Sequence, residues 1–298
     1  MMANRPKSNR PQRNRNGRWR CFVASLALLP ALASANPHAV QALAQGEVRS
    51  EQRYADCIRL AERAPDKGIN AALEWQLEAG GVPARHCEAV GLYYGGEYAE
   101  AAIRLERIAE DMRIGRGMPV RGDKRSTASP SMLADTYGQA AEAWLLAGEL
   151  VRAEAAIGEA LALVPGGSAL EASLREDRAH IAAADEDFVL ALSELEAVLA
   201  RDPGRVDILL FIASAARGTG NFIRANQALD AYRAVYPDDP SALLELGNLR
   251  DAEGDAPAAR QAWLKLLQLS PEGPDADAAR ANLERLDVNK SDRAVDGR

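Results

Sequence analysis

The chain has 298 residues, with 36 Lys and Arg against 43 Asp and Glu, a formal net charge of −7. An acidic excess disfavours nucleic acid and anionic membrane as partners, because both would be repelled before contact. Three histidines and three cysteines are thin material for a catalytic or metal centre, and sparse aromatics with abundant alanine point to helices packed closely through small side chains.

Residues 1–20 carry seven Lys and Arg and no acid, an apolar run follows from Cys21 to Leu32, and Ala33-Ser34-Ala35 comes next. This is the plan of a secretory signal peptide: a basic end, a short apolar helix, then small residues at the cleavage site. Cleavage before Asn36 is expected, which makes the mature protein periplasmic or secreted. An uncleaved membrane anchor is one alternative, although about 12 apolar residues are too few to span roughly 30 Å of hydrocarbon. A transit peptide is another, although such segments are amphipathic. The mature chain of 263 residues would keep 29 basic residues against 43 acidic ones, a net charge of −14.

Tyr54, Cys57, Ile58 and Ala61 form one stripe at helical spacing, and Ile69, Ala72, Leu73 and Leu77 form another. They predict helices over 51–63 and 66–79, separated at Pro65. Ala84 to Met112 reads as a first, irregular helical hairpin with the turn Gly95-Gly96-Glu97-Tyr98 and packing residues Ala101, Leu105 and Ile108. Cys57 and Cys87 fall on neighbouring helices of this N-terminal part, residues 36–112. In an oxidising compartment they are expected to join, closing a loop of about 31 residues. The alternative is two reduced, buried cysteines acting as small hydrophobes. Residues 113–130, rich in Gly, Ser, Pro and Thr with Arg113, Arg116, Arg121, Lys124 and Arg125, predict a basic flexible loop. No strand is predicted.

Pro203, Pro237 and Pro271 fall 34 residues apart, and 17 positions ahead of each stands the same turn: Glu186-Asp187-Phe188, Gly220-Asn221-Phe222, Gly254-Asp255-Ala256. Counting each proline as position 32, position 20 reads Ala153, Ala191, Ala225 and Ala259. Position 8 reads Ala141, Ala179, Ala213 and Gly247, and position 24 reads Ile157, Leu195, Leu229 and Trp263. Small residues opposite large ones at matching heights let antiparallel helices interlock. This pattern resembles the tetratricopeptide repeat, over four units in residues 131–271. The stretch from Pro165 to Pro203 is 38 residues instead of 34, and Arg175 and Arg178 depart from the pattern at positions 4 and 7 of its unit. A capping helix is expected over 272–286 and a disordered tail over 287–298.

The resemblance implies an all-α solenoid, a right-handed superhelix of helical hairpins whose first helices line a concave groove. In that family, ligands touch positions 2, 5, 9, 12 and 13 of each unit. Carried onto this sequence, the groove candidates are Asp135, Glu142, Leu145 and Leu146, then Glu176 and His180, then Asp207, Leu210 and Arg217, then Leu244, Asn248 and Asp251. The family's carboxylate-gripping peptide readers use Lys and Asn there. Gly138, Glu142 and Glu176 stand in their place, so that function is not expected. The groove is instead read as mildly acidic and partly apolar, suited to an extended or helical segment carrying Lys or Arg. The plain alternative is that these acids form an ordinary solvated face.

Chemistry is not expected. His86 and Cys87, adjacent on a helix, diverge by about 100° and cannot form a nucleophile and base pair. With Cys57 they lack a fourth zinc ligand and any usual spacing. His180 and Glu176, one turn apart, are the one pair that could act as acid and base. The reading is an exported scaffold or adaptor, without cofactor or metal, that binds a protein or peptide in envelope complex assembly; the alternative is a self-associating structural envelope protein.

Overall fold

The computed structural model describes the backbone of residues 37–118, 120–121 and 124–296 and the side chains of 49–118 and 126–288. The signal peptide expected over 1–35 lies outside them. The described residues form an all-α array of helical hairpins that divides after Asp185 into two compact bodies.

The first body contains α1 (Pro37–Arg63), α2 (Pro65–Leu77), α3 (Gly81–Gly95), α4 (Tyr98–Arg113), α5 (Pro130–Ala147), α6 (Leu150–Leu163) and α7 (Ala169–Ala184). Each helix packs on the next, and the first helices also meet one another, α1 on α3 and α5 on α7. The second body contains α8 (Phe188–Arg201), a 3-10 turn (Val206–Ile208), α9 (Leu209–Gly218), α10 (Phe222–Val235), α11 (Pro240–Ala252), α12 (Ala256–Leu269) and α13 (Pro274–Asp296). Here α9 packs on α11 and α11 on α13 in the same manner.

The repeated turn is built from two residues with separate tasks. The first closes the preceding helix in the left-handed conformation, at φ +88° in Gly96, +80° in Gly148, +76° in Gly220 and +85° in Gly254, where glycine carries no Cβ penalty. Glu186 takes the same role at +62°. The second residue caps the next helix: Asp187, Asn221 and Asp255 accept hydrogen bonds from the backbone N–H of Leu190, Arg224 and Ala258 at 3.0, 3.1 and 3.0 Å. These caps satisfy donors that the first turn of a helix leaves open.

Every position-20 alanine is fully buried, as are Ile157, Leu229 and Trp263 at position 24 to within 1% exposure. At Gly247 an added Cβ would stand within 2.6 Å of three atoms of the Trp263 ring, which explains glycine where the other units carry alanine. Arg175 and Arg178 are accommodated as ion pairs. Arg175 Nε donates to Glu171 at 2.9 Å, and Arg178 Nε donates to Glu154 of α6 at 2.9 Å, while Leu174, next to Arg175, is buried.

Four sequence expectations need correction. The helix predicted from residue 51 starts at Pro37, because nothing between 37 and 50 compels a break. The loop over 113–130 contains a two-residue antiparallel ladder, Val120–Arg121 with Lys124–Arg125, too short to show any alternation in the sequence. The tail read as disordered is helical to Asp296, since no Gly or Pro interrupts the chain between Pro274 and Gly297. Finally, α13 does not merely close the array: its side chains repeat the register of α11, as the next contacts show.

Cys57 Sγ and Cys87 Sγ lie at 1.98 Å with their Cα atoms 6.0 Å apart, the geometry of the bridge expected between α1 and α3. Around them Ile58, Ala61, Trp75 and Val90 form a small core of their own.

Candidate functional site

In the first body the candidate groove residues lie on α5 and α7. Asp135 accepts a hydrogen bond from Gln139 Nε2 at 3.0 Å, one turn along α5. That leaves Gln139 Oε1 facing His86 Nε2 at 2.8 Å, while His86 Nδ1 meets the Tyr54 hydroxyl at 2.8 Å. Because the amide oxygen can only accept, His86 Nε2 carries the hydrogen and Nδ1 accepts from Tyr54. One chain of bonds thus joins α1, α3 and α5. His86 is buried, and desolvation holds its pKa below the ordinary 6.5, opposed only in part by the bond to Gln139.

The sign of the resulting pH dependence follows directly. An unfolded chain takes up a proton at this imidazole as the pH falls through about 6.5, whereas the folded chain resists until a lower pH, so stability is lost below that point. Wild-type protein should therefore lose more thermal stability between about pH 7.5 and about pH 5.5 than His86→Gln, compared as slopes of Tm. Equal slopes would assign the acid sensitivity to other groups.

Glu142, half-buried on α5, accepts a 3.0 Å hydrogen bond from the Tyr93 hydroxyl of α3. Burial, the Glu142 charge and this bond together hold the Tyr93 phenol far above the usual tyrosine range. Tyr93 also meets Tyr94 edge-on at 5.4 Å and Tyr98 at 5.5 Å between ring centroids. Leu145 and Leu146 are half-buried on the same helix as Glu142, and Leu145 packs on the core that Tyr93 also covers. On α7, His180 is half-buried, but Glu176 is only 7% exposed. Glu176 therefore departs from the solvent-facing acid expected of it, on a helix that packs against both α5 and α6.

In the second body the candidates fall on the 3-10 turn, α9 and α11. Arg217 makes a forked contact to Glu245, at 2.7 Å from Nε and 3.2 Å from Nη2. Burial raises the Glu245 pKa, and Arg217 counteracts that rise. Asp207 is exposed but paired with Arg205 at 2.7 and 2.6 Å. Leu210 is half-buried, and Leu244 packs partly buried against Leu243, Trp263 and Leu266. Asn248 Oδ1 accepts from Asn282 Nδ2 at 2.9 Å, Asp251 pairs with Arg285 at 2.7 Å, and Ser241 Oγ donates to Asp275 at 2.6 Å.

Those last three contacts join residues 34 apart in sequence, at positions 2, 9 and 12 of adjacent first helices. They extend the candidate face onto α13 through Asp275, Asn282 and Arg285, residues that counting 34 onward from α11 would have found. Tyr93 and Tyr94 were also missed; aligning the Gly96 turn with Gly148 puts them at positions 12 and 13 of the first unit. The pairing of Asp207 and Asp251 with arginines makes this face less acidic than the sequence suggests.

Comparison with known proteins agrees with a helical-repeat fold. Residues 182–244 match the family model for the tetratricopeptide repeat. No curated protein matches the chain. Among solved structures, PilF of Pseudomonas aeruginosa superposes with a TM-score of 0.53 at 14% identity, covering 78% of this chain and 99% of that one. MamA of Desulfovibrio magneticus RS-1 gives 0.51 at 17% identity over 64% and 95%, and a putative kinesin light chain of Podospora anserina gives 0.50 at 17% over 62% and 93%. At such identities the likeness concerns the fold. Repeat register, left-handed turns, buried alanines and family match converge on tetratricopeptide repeats: residues 182–244 match that family's model, and the fold of the described residues is that of a tetratricopeptide-like solenoid.

Proposed function

We propose that this protein is a non-catalytic interaction scaffold whose first-helix faces hold an extended or helical segment of a protein partner. The observation that carries the reading is the half-buried trio Tyr93, Tyr94 and Tyr98 beside Glu142, Leu145 and Leu146. Rigid aromatic side chains with a polar tip are the commonest anchors of protein interfaces, and an adjacent carboxylate favours a Lys or Arg on the partner. The signal-like sequence of residues 1–35 supports export, and a bridge between Cys57 and Cys87 suits an oxidising compartment such as a bacterial periplasm. Assembly of an envelope complex is the setting proposed for such a scaffold. Among the described residues no helix is long and apolar enough to cross a membrane.

A photo-crosslinking residue at position 94 tests this reading in producing cells, with the exposed Asp230 of α10 as the control position. A partner crosslinked from 94 and not from 230 should lose affinity for Tyr93→Ala/Tyr94→Ala by about tenfold or more, with folding retained. Equal crosslinking from both positions, or unchanged affinity, would overturn it. Capture of a second copy would favour self-association instead. That rival has one observation of its own: Val151, Val189 and Ile223, equivalent residues of three units, are exposed at 88%, 71% and 77%.

A further inference from the structure

A cavity of about 370 Å3 opens between α2, α3 and α4, lined by Leu73, Gln76, Arg85, Glu88, Arg104, Arg107 and Ile108. Three guanidinium groups around one small space are unusual in a chain of net charge −7. Two of them are held in place from behind. Arg85 Nη1 donates to Asp111 Oδ2 at 2.5 Å, and Arg104 donates through Nε to Glu88 at 3.2 Å and through Nη2 to Glu100 at 2.9 Å. The third, Arg107, is exposed and makes no hydrogen bond or ion pair among the described residues.

The donor and acceptor balance is one-sided. Each guanidinium offers five N–H groups, and the contacts above use one on Arg85 and two on Arg104. Glu88, the one carboxylate in the lining, already accepts at both oxygens, from Arg104 at Oε1 and from Gln76 Nε2 at Oε2, 2.7 Å away. The cavity therefore presents more uncommitted donors than acceptors, Gln76 Oε1 being the one lining side-chain oxygen outside these bonds. Its remaining walls are aliphatic: Leu73 is 44% exposed, and Ile108 forms part of the buried core beneath.

We propose that this cavity is an anion subsite for a carboxylate on a short aliphatic stem, distinct from the first-helix faces and independent of any partner held there. Fixed guanidinium groups suit planar carboxylates better than lysine would, because two parallel N–H bonds meet two oxygens. Leu73 and Ile108 cover the methylenes of the stem. The volume lies at the lower end of small-ligand sites, enough for one such group. A glutamate side chain of an acidic segment and a free dicarboxylate share this chemistry.

Titration of the full oxidised protein with glutarate, and separately with the acetylated peptide Gly-Glu-Leu-Gly amide, tests the site by calorimetry against glutaramide and against sodium chloride of equal ionic strength. Saturable binding of either anion, absent with glutaramide and weakened about tenfold in Arg107→Gln, is the expected result. Tighter binding of the peptide would identify a protein segment as the source, and tighter binding of glutarate a free metabolite. Arg107 is exposed, so its substitution leaves the fold intact; Arg104→Lys, which keeps the charge and loses the fork, should weaken binding as well. Heat no greater than that of chloride, or equal affinity in wild type and Arg107→Gln, would overturn the proposal.

Discussion

Ala225→Glu should destabilise the second body by about 3 to 5 kcal/mol, because it forces both volume and an unpaired carboxylate into a helix crossing. Ala225 is fully buried at position 20 of α10, beside Leu229 at position 24. The small side chain is what allows α9 and α10 to approach. The added carboxylate would be desolvated, since Ala225 has no exposed surface. Two residues earlier on the same helix, Ile223 is 77% exposed, so Ile223→Glu should change stability by no more than about 0.5 kcal/mol. Thermal unfolding of both variants makes the comparison internal, with a loss in Tm of roughly 10 °C or more expected for Ala225→Glu alone. A wild-type Tm in Ala225→Glu would break the repeat register itself.

That contrast shows which parts of the structure were legible in the sequence. A residue that faces a neighbouring helix in every unit is constrained in every unit, so Ala191, Ala225 and Ala259 announce themselves by period alone, and Ala153 by its distance from Pro165. The turn is legible for the same reason, since a left-handed residue followed by a cap leaves a Gly-Asn or Gly-Asp signature. The candidate face was readable only in part. Its positions follow from the register, but their partners do not, because hydrogen bonds such as Gln139 to His86 or Arg217 to Glu245 join helices through side chains that vary from unit to unit. Glu176 illustrates the limit: position in the register marked it as groove-facing, and it is buried on a helix that packs against both α5 and α6. Tyr93 and Tyr94 escaped notice because the first hairpin is irregular, and α13 because a first helix without an evident second one reads as a cap. The cavity of Arg85, Arg104 and Arg107 had no sequence signal, since it draws on three helices with no common spacing.

Removing the bridge between Cys57 and Cys87 should lower stability by about 3 to 4 kcal/mol in the chain-entropy description, since it restores freedom to a loop of about 31 residues in the unfolded chain. The loss should be local. Tyr54 lies one turn before Cys57 on α1, and His86 is next to Cys87 on α3, so the bridge holds together the helices that carry the Tyr54–His86 contact. Beyond it, His86 fixes Gln139, and Gln139 fixes Asp135 on the candidate face. In Cys57→Ser/Cys87→Ser, amide exchange in α1 and α2 should rise while α8 to α13 keep wild-type protection. Reductant should lower the Tm of the wild-type protein and leave that of the double variant unmoved. The oxidised mature protein, counted under denaturing conditions, should carry no free thiol. Two free thiols, or a wild-type Tm indifferent to reductant, would mean that Cys57 and Cys87 serve as buried apolar side chains and that α1 is held by Ile58, Ala61 and Trp75 alone.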